Sequence, residues 1–289
     1  MDKEKISSIS LLFVAAVWGF NFVAVKFLLA EISPINLVLF RFFTGSILLF
    51  LLLFFYQDVK IPFKDFLHLC GLGIIGITAY QLAFVYALKY TSVTNVSILI
   101  NASPLYGGVL SSSFGFERFN KKRFIATMTG FIGVFILITK GGFRLAGGDT
   151  KGNLLAVAAS VLWALYTLLS KPLLNKHSPL KVTTYSMIGG SALLCFFIPS
   201  FLDVHEYAEM SLAGWVFFVY AVIFSNVIAF ILWYRGVSRI GPSKTIIYQY
   251  SVPVFATLFA FLSLGEKLHF SQLVGAVIVF ASIALTRKY

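Results

Sequence analysis

In a chain that is 59% hydrophobic and only 12% charged, the few polar side chains far from any charged or Pro/Gly break are the ones that could do chemistry. Arg41 is the most informative. It follows Pro34 by seven residues, about 10 Å along a helix at 1.5 Å per residue. A guanidinium near a bilayer centre costs about 2.5–3.5 kcal/mol on insertion scales, so it requires a carbonyl, cavity water or an anionic ligand. Two readings follow: attraction of solute or a gating contact, and a structural bond to a neighbouring helix. Trp18, Asn21, Phe22 and Val25 share one helical face. An unpaired amide such as that of Asn21 is costly in an apolar run, and Trp prefers membrane interfaces to the interior. Trp163, Tyr166, Thr167 and Ser170 repeat the pattern 145 residues later. Two matched aromatic and polar faces suggest opposite walls of one cavity.

Other candidates are Tyr80 and Gln81, then Asn95, Ser97 and Asn101, Ser225 and Asn226, and Tyr248, Gln249 and Tyr250. The expected substrate contacts are Trp18, Asn21, Arg41, Tyr80, Gln81, Asn101, Trp163, Tyr166, Tyr248 and Gln249. Neutral donors beside aromatic rings suit a zwitterionic or moderately polar solute better than a metal ion. All eleven acids and all four histidines fall in loops or near the ends of apolar runs, where no proton relay within the spans is built. The chain has no G-x-x-x-x-G-K-[ST] phosphate loop and no nucleophile, base or metal constellation. We therefore expect no enzyme, no cofactor and no metal. Cys70 and Cys195 read as small packing residues.

These residues must be positioned by membrane helices. Mean hydropathy is +0.90, and a spanning helix needs about 20 apolar residues. Ten runs qualify: 7–29, 34–56, 66–88, 92–113, 121–139, 152–170, 179–200, 212–234, 242–264 and 270–287. They are continuously apolar rather than alternating, which indicates helices, not a barrel. The first run resembles a signal peptide but is long and lacks a small-x-small site, so it reads as a retained span. With the N-terminus in the cytoplasm, sixteen Lys and Arg lie inside and six outside, in line with the positive-inside rule. Both termini are then cytoplasmic. The net charge of +12 reflects orientation in a lipid bilayer rather than nucleic-acid binding.

The stretch Trp18 to Leu49 returns at Trp163 to Leu194 without a gap: Trp18 falls on Trp163, Lys26 on Lys171, Ser33-Pro34 on Ser178-Pro179, and Gly45-Ser46 on Gly190-Ser191. Later parts match at a shift of 149, with Pro104 on Pro253 and Glu117 on Glu266. The expected fold is all-α and integral to the membrane, ten transmembrane helices as two five-helix repeats, 1–145 and 146–289. Five is odd, so the copies are inverted about an axis in the membrane plane, an arrangement of secondary transporters. Ser33 and Ser178 read as N-caps before Pro. Pro104 and Pro253 sit mid-run and free the carbonyls of Ile100 and Gln249, which need protein or cavity water as partner. They are candidate hinges. Glu117-Arg118 and Glu266-Lys267 read as structural turns. The pairs Ala126/Gly130 and Thr129/Gly133, with Gly71, Gly73 and Gly76, mark close helix contacts. A homodimer surface on the fifth span is the alternative, giving a monomer or weak homodimer.

Several segments resemble one family: WGFNFVAVK at 18–26, FRFF around Arg41, SPLYGGVL at 103–110 with VPVFATLF at 252–259, GFERF at 115–119 and GEKL at 265–268. Together they resemble the EamA-type branch of the drug/metabolite transporter superfamily across nearly the whole chain. Phe116 departs from the family's pattern before the Glu. The resemblance implies ten spans, an inverted five-plus-five repeat, and export of small metabolites, often amino acids, across a prokaryotic inner membrane. It also implies a central cavity lined by the first, third, fourth, sixth, eighth and ninth spans, placing Trp18, Asn21, Tyr80, Asn101, Trp163, Tyr166 and Gln249 near substrate. Alternatives from related branches or other classes are an exchanger of phosphorylated or nucleotide-linked metabolites, and a non-transporting membrane protein. The exchanger would want several cationic side chains in the cavity, where Arg41 stands alone.

Overall fold

A computed structural model describes residues 3–140, 150–196, 202–264 and 267–288. The helices, in chain order, are α1 (Lys3–Leu28), α2 (Pro34–Tyr56), α3 (Phe63–Tyr90), α4a (Val93–Ile100), α4b (Ser103–Ser113), α5 (Lys121–Thr139), α6 (Thr150–Leu174), α7 (Pro179–Cys195), a single turn His205–Ala208, α8 (Leu212–Ile240), α9 (Pro242–Ser263) and α10 (Phe270–Lys288). Among the described residues no strand occurs. Eight helices among the described residues are long and apolar enough to cross a membrane. α7, with 17 residues, falls just short, and the fourth run is divided. Large apolar side chains such as Phe54, Phe55, Leu262 and Val277 stand exposed, as a lipid-covered protein allows.

The fourth run was expected as one kinked helix over 92–113; it is instead two helices separated at Asn101-Ala102. Pro104 supplies no amide and its ring crowds the preceding turn. The freed Ile100 carbonyl accepts a bond from Ser160 Oγ on α6 at 3.2 Å, so the partner the sequence demanded comes from protein. In α9 the distortion takes another form, a 3₁₀ turn over Ile247–Tyr250. The two irregular stretches are joined: Ser103 Oγ donates to Gln249 Oε1 at 2.5 Å.

Of the two expected N-caps, Ser178 behaves as one, its Oγ accepting from the Lys181 amide at 3.2 Å. The Ser33 side chain makes no cap bond; its backbone amide donates to Glu206 Oε2 at 2.8 Å instead. Glu117 pairs with Arg123 at 2.5 Å and accepts from the Ser243 amide. Its repeat counterpart Glu266 lies outside the described residues.

Small residues let backbones meet. A Cβ on Gly73 would lie 1.8 Å from the Ser186 carbonyl oxygen, so α3 rests directly on α7. The Ala126, Gly130 and Gly133 face of α5 is covered by α10, where Ser282 Oγ donates to the Ala126 carbonyl at 2.7 Å. Both described ends meet on one face of the molecule. Lys244 Nζ there lies 3.6 Å from Glu4 and donates to the Arg287 carbonyl at 3.3 Å. We call this the terminal face and its opposite the far face.

Candidate functional site

The site is built on two features that no single residue type announces. α3 winds as π-helix over Ile74–Ala79 and α8 over Ala221–Ile228. Such segments insert an extra residue into the turn and re-aim everything after them. Tyr80 follows the first directly, and Phe230 and Trp233 follow the second. The π segments also supply bonding groups to their neighbours. Trp18 Nε1 donates to the Ser225 carbonyl at 3.1 Å, Asn226 Nδ2 to the Arg41 carbonyl at 3.2 Å, and Thr78 Oγ1 to the Gly190 carbonyl at 2.8 Å.

The result is an aromatic cluster at the meeting of α1, α3, α6 and α8. Trp18 stands 5.5 Å from Trp163, edge to face, and 5.1 Å from Trp233. Trp163 lies 5.3 Å from Tyr80, 5.7 Å from Tyr166 and 5.7 Å from Trp233. Phe230 completes the group at 5.8 Å from Trp18. Each such ring pair contributes about 0.5–1.5 kcal/mol beyond its buried area, so the cluster is a rigid wall. Gly76 makes room for it: a Cβ there would lie 2.1 Å from the Tyr166 ring. The Tyr166 hydroxyl lies 3.2 Å from Ser186 Oγ.

Against this wall stand buried polar atoms with no protein partner: Asn21 Oδ1, Arg41 Nε and Trp163 Nε1, with Asn101 Oδ1 at the break in the fourth run. The Arg41 side chain is buried and near enough to Tyr80 to interact electrostatically. Its guanidinium lies 4.9 Å from the Phe42 ring. The structural bond to a neighbouring helix is made by its backbone carbonyl, not its side chain. A buried polar group left unmade costs about 1–3 kcal/mol, more when charged.

The structure thus brings together Trp18, Tyr80, Trp163 and Tyr166, with Arg41 beside Tyr80 and Asn21 one turn along α1 from Trp18. Gln81 is buried next to Tyr80 in sequence. Asn101 Nδ2 donates to the Ser97 carbonyl at 2.8 Å. Tyr248 and Gln249 are committed elsewhere: the Tyr248 hydroxyl donates to Ser8 Oγ at 2.7 Å, and Gln249 holds Ser103. Trp233, Phe230 and Tyr234 belong to the cluster but were passed over in the sequence; Trp233 falls on Phe84 in the repeat, so a search for identical pairs misses it. A polar cleft of about 410 Å³ on the terminal face, lined by Glu117, Arg118, Phe119, Asn120, Arg123, Ile240 and Lys244, contains none of the candidates.

Apolar helices around a buried aromatic and polar centre define a multi-pass membrane protein of the transporter class. The chain belongs to the EamA-like transporter family, whose profile matches residues 6–139 and again 150–287. It is similar to an uncharacterized transporter of Archaeoglobus fulgidus, 30% identical over 274 residues and 93% of each chain. The uncharacterized transporter YyaM of Bacillus subtilis is 27% identical over 92% of this chain and 88% of its own. A probable terminal-alkyne amino-acid exporter of Streptantibioticus cattleyicolor is 26% identical over 75% of this chain and 71% of its own. The fold matches a crystal structure with a TM-score of 0.81 at 18% identity, over 97% of this chain and 96% of that one.

Proposed function

We propose that the chain is an alternating-access secondary transporter that exports small metabolites, amino acids or related zwitterions foremost. Its terminal face is cytoplasmic in a cell (inner) membrane, as the excess of Lys and Arg there indicates. The observation that carries the reading is the central cluster, where Arg41 Nε, Trp163 Nε1 and Asn21 Oδ1 are buried without partners beside three Trp rings. A carboxylate suits the guanidinium, and an ammonium or apolar side chain suits the ring faces. The name of the Streptantibioticus relative points toward the same solute class.

Contacts between repeat mates support the inverted five-plus-five architecture with units 1–145 and 146–289. Ser46 Oγ and Ser191 Oγ, 145 residues apart, lie 2.7 Å from each other, and Trp18 touches its mate Trp163. Under the shift of 149, the contacts Gly133–Gly275 and Ser282–Ala126 exchange. Residues that touch their own mates flank a two-fold axis. Ten crossings then follow, with α4a and α4b forming one divided span and α7 a short one. Reconstituted protein is tested by efflux from proteoliposomes loaded with a panel of amino acids. Saturable flux of a carboxylate-bearing solute is expected; folded protein that moves none of them would overturn the reading.

A further inference from the structure

The two faces of the molecule are not equally closed. On the terminal face α8 ends against α7 and against the 171–174 turn, and α9 starts against α4b and α6; the repeat-related elements on the far face barely meet. Three contacts close the terminal side. Lys171 Nζ donates to the Ser238 carbonyl at 3.1 Å and lies 3.5 Å from the Val237 carbonyl. Trp233 Nε1 donates to Thr167 Oγ1 at 3.2 Å. Tyr166 packs on Tyr234 at 5.4 Å. The Ser238 carbonyl belongs to the last turn of α8, which has no amide of its own helix to accept from, and a cation there also meets the negative end of the helix.

On the far face the lysine and its helix end have mates, whereas the Tyr166–Tyr234 pair falls on Asn21 and Val85, which cannot stack. Lys171 corresponds to Lys26, Val237 and Ser238 to Leu88 and Lys89 at the end of α3, Thr167 to Phe22, and Trp233 to Phe84. None of these contacts is made. Lys26 is exposed and without a hydrogen-bond or ion-pair partner among the described residues. Phe22 is 46% exposed, whereas Thr167 is fully buried. The lysine clamp is thus set in place twice and closed once, while the Trp233–Thr167 hydrogen bond has only an apolar Phe pair as its counterpart.

We propose that Lys171 and Lys26 are alternating gate residues: each clamps the C-terminal carbonyls of the long helix opposite it, Lys171 on α8 when the terminal side is shut, Lys26 on α3 when the far side is shut. The proposal rests on the inverted-repeat, alternating-access reading above. When Lys171 releases and the far side closes, Lys26 Nζ reaches the Leu88 and Lys89 carbonyls and Phe22 stacks on Phe84. Neither lysine touches the solute; both are positioning residues that set which face is open.

The test is pulsed electron-electron spin resonance on full-length protein in lipid nanodiscs, with Cys70 and Cys195 replaced by Ala. Nitroxides at Asn175→Cys and Arg239→Cys report the terminal face; Leu29→Cys and Lys89→Cys report the far face. Lys171→Gln is expected to raise, about tenfold, the population with a long terminal-face distance and a short far-face distance. Lys26→Gln is expected to deplete that population. Lys171→Arg, which keeps a cationic donor, is expected to retain the parental distribution and excludes a general folding defect. Unchanged distributions in Lys171→Gln, with two states populated in the parent, would overturn the latch and leave alternating access intact. A parent with one distance on each face at every temperature and with every solute would instead overturn alternating access itself, and the latch with it.

Discussion

Arg41 Nε has left water without gaining a hydrogen bond, and its guanidinium rests against the Phe42 ring. Removing it relieves a buried donor without a partner, so Arg41→Ala is expected to cost little stability while flux of carboxylate-bearing solutes falls tenfold or more. Arg41→Lys does not restore the flux, because an ammonium cannot reproduce the planar fork. Proteoliposome efflux beside thermal unfolding separates the two effects; equal loss of both would make Arg41 structural. Glu206 is the opposite case, a charge fully employed. Partial burial opposes its ionisation, but bonds from Asn36 Nδ2 at 2.7 Å and from the Ser33 amide hold its carboxyl below the usual value of 4.5. A lowered folded-state value means the clamp contributes fully above pH 4.5 and is lost as pH falls through that folded value. The unfolding midpoint of the parent should therefore drop below pH 4.5 more steeply than that of Glu206→Gln. Arg41 was legible in the sequence because any charge inside an apolar run asks for a reason. The Glu206 clamp was not, since it joins the turn before α2 to a one-turn helix, His205–Ala208, 173 positions away.

Among elements, the broken fourth span shows what local chemistry can and cannot announce. Pro104 told in advance that the Ile100 carbonyl would need a partner, but not that Ser160 of α6 would be it. Ser160→Ala leaves that buried carbonyl bare, and a loss of about 1–3 kcal/mol is expected in chemical denaturation. A loss below a few tenths would mean that water takes the place of the hydroxyl. The π segments of α3 and α8 lay beyond sequence reasoning, because no residue type forces the wider turn. They coincide with the demands of their neighbours: Trp18 bonds to the Ser225 carbonyl inside one, and Thr78 inside the other bonds to Gly190. Without the re-aiming that they impose, Tyr80 and Trp233 could not both reach Trp163, so half of the aromatic wall was invisible from spacing counted at 3.6 residues per turn.

At the scale of the molecule, composition alone decided a membrane fold, because 12% charged residues cannot cover such a chain. The matched halves came from a Trp, a Lys, a Ser-Pro and a Gly-Ser kept in register. What register does not tell is which matched residues touch. Ser46 and Ser191 do, through both hydroxyls, while Lys26 and Lys171 occupy opposite faces. This difference has a mechanical consequence. In a transporter built from inverted repeats, the two end states interchange when each repeat adopts the conformation of the other. A contact between mates maps onto itself under that exchange, so it persists in both states; a contact between non-mates whose repeat-related counterpart is open, such as that of Lys171, is broken on one face when it is made on the other. Joining Ser46→Cys to Ser191→Cys, in a chain with Cys70 and Cys195 replaced, is therefore expected to leave both nitroxide distance populations in place on each face. Joining Asn175→Cys to Arg239→Cys with a short bifunctional reagent should remove the population with the terminal face open. Loss of one population on oxidising the Ser46–Ser191 pair, restored by reductant, would show that this contact opens during the cycle. The axis would then have to lie elsewhere, nearer Trp18 and Trp163.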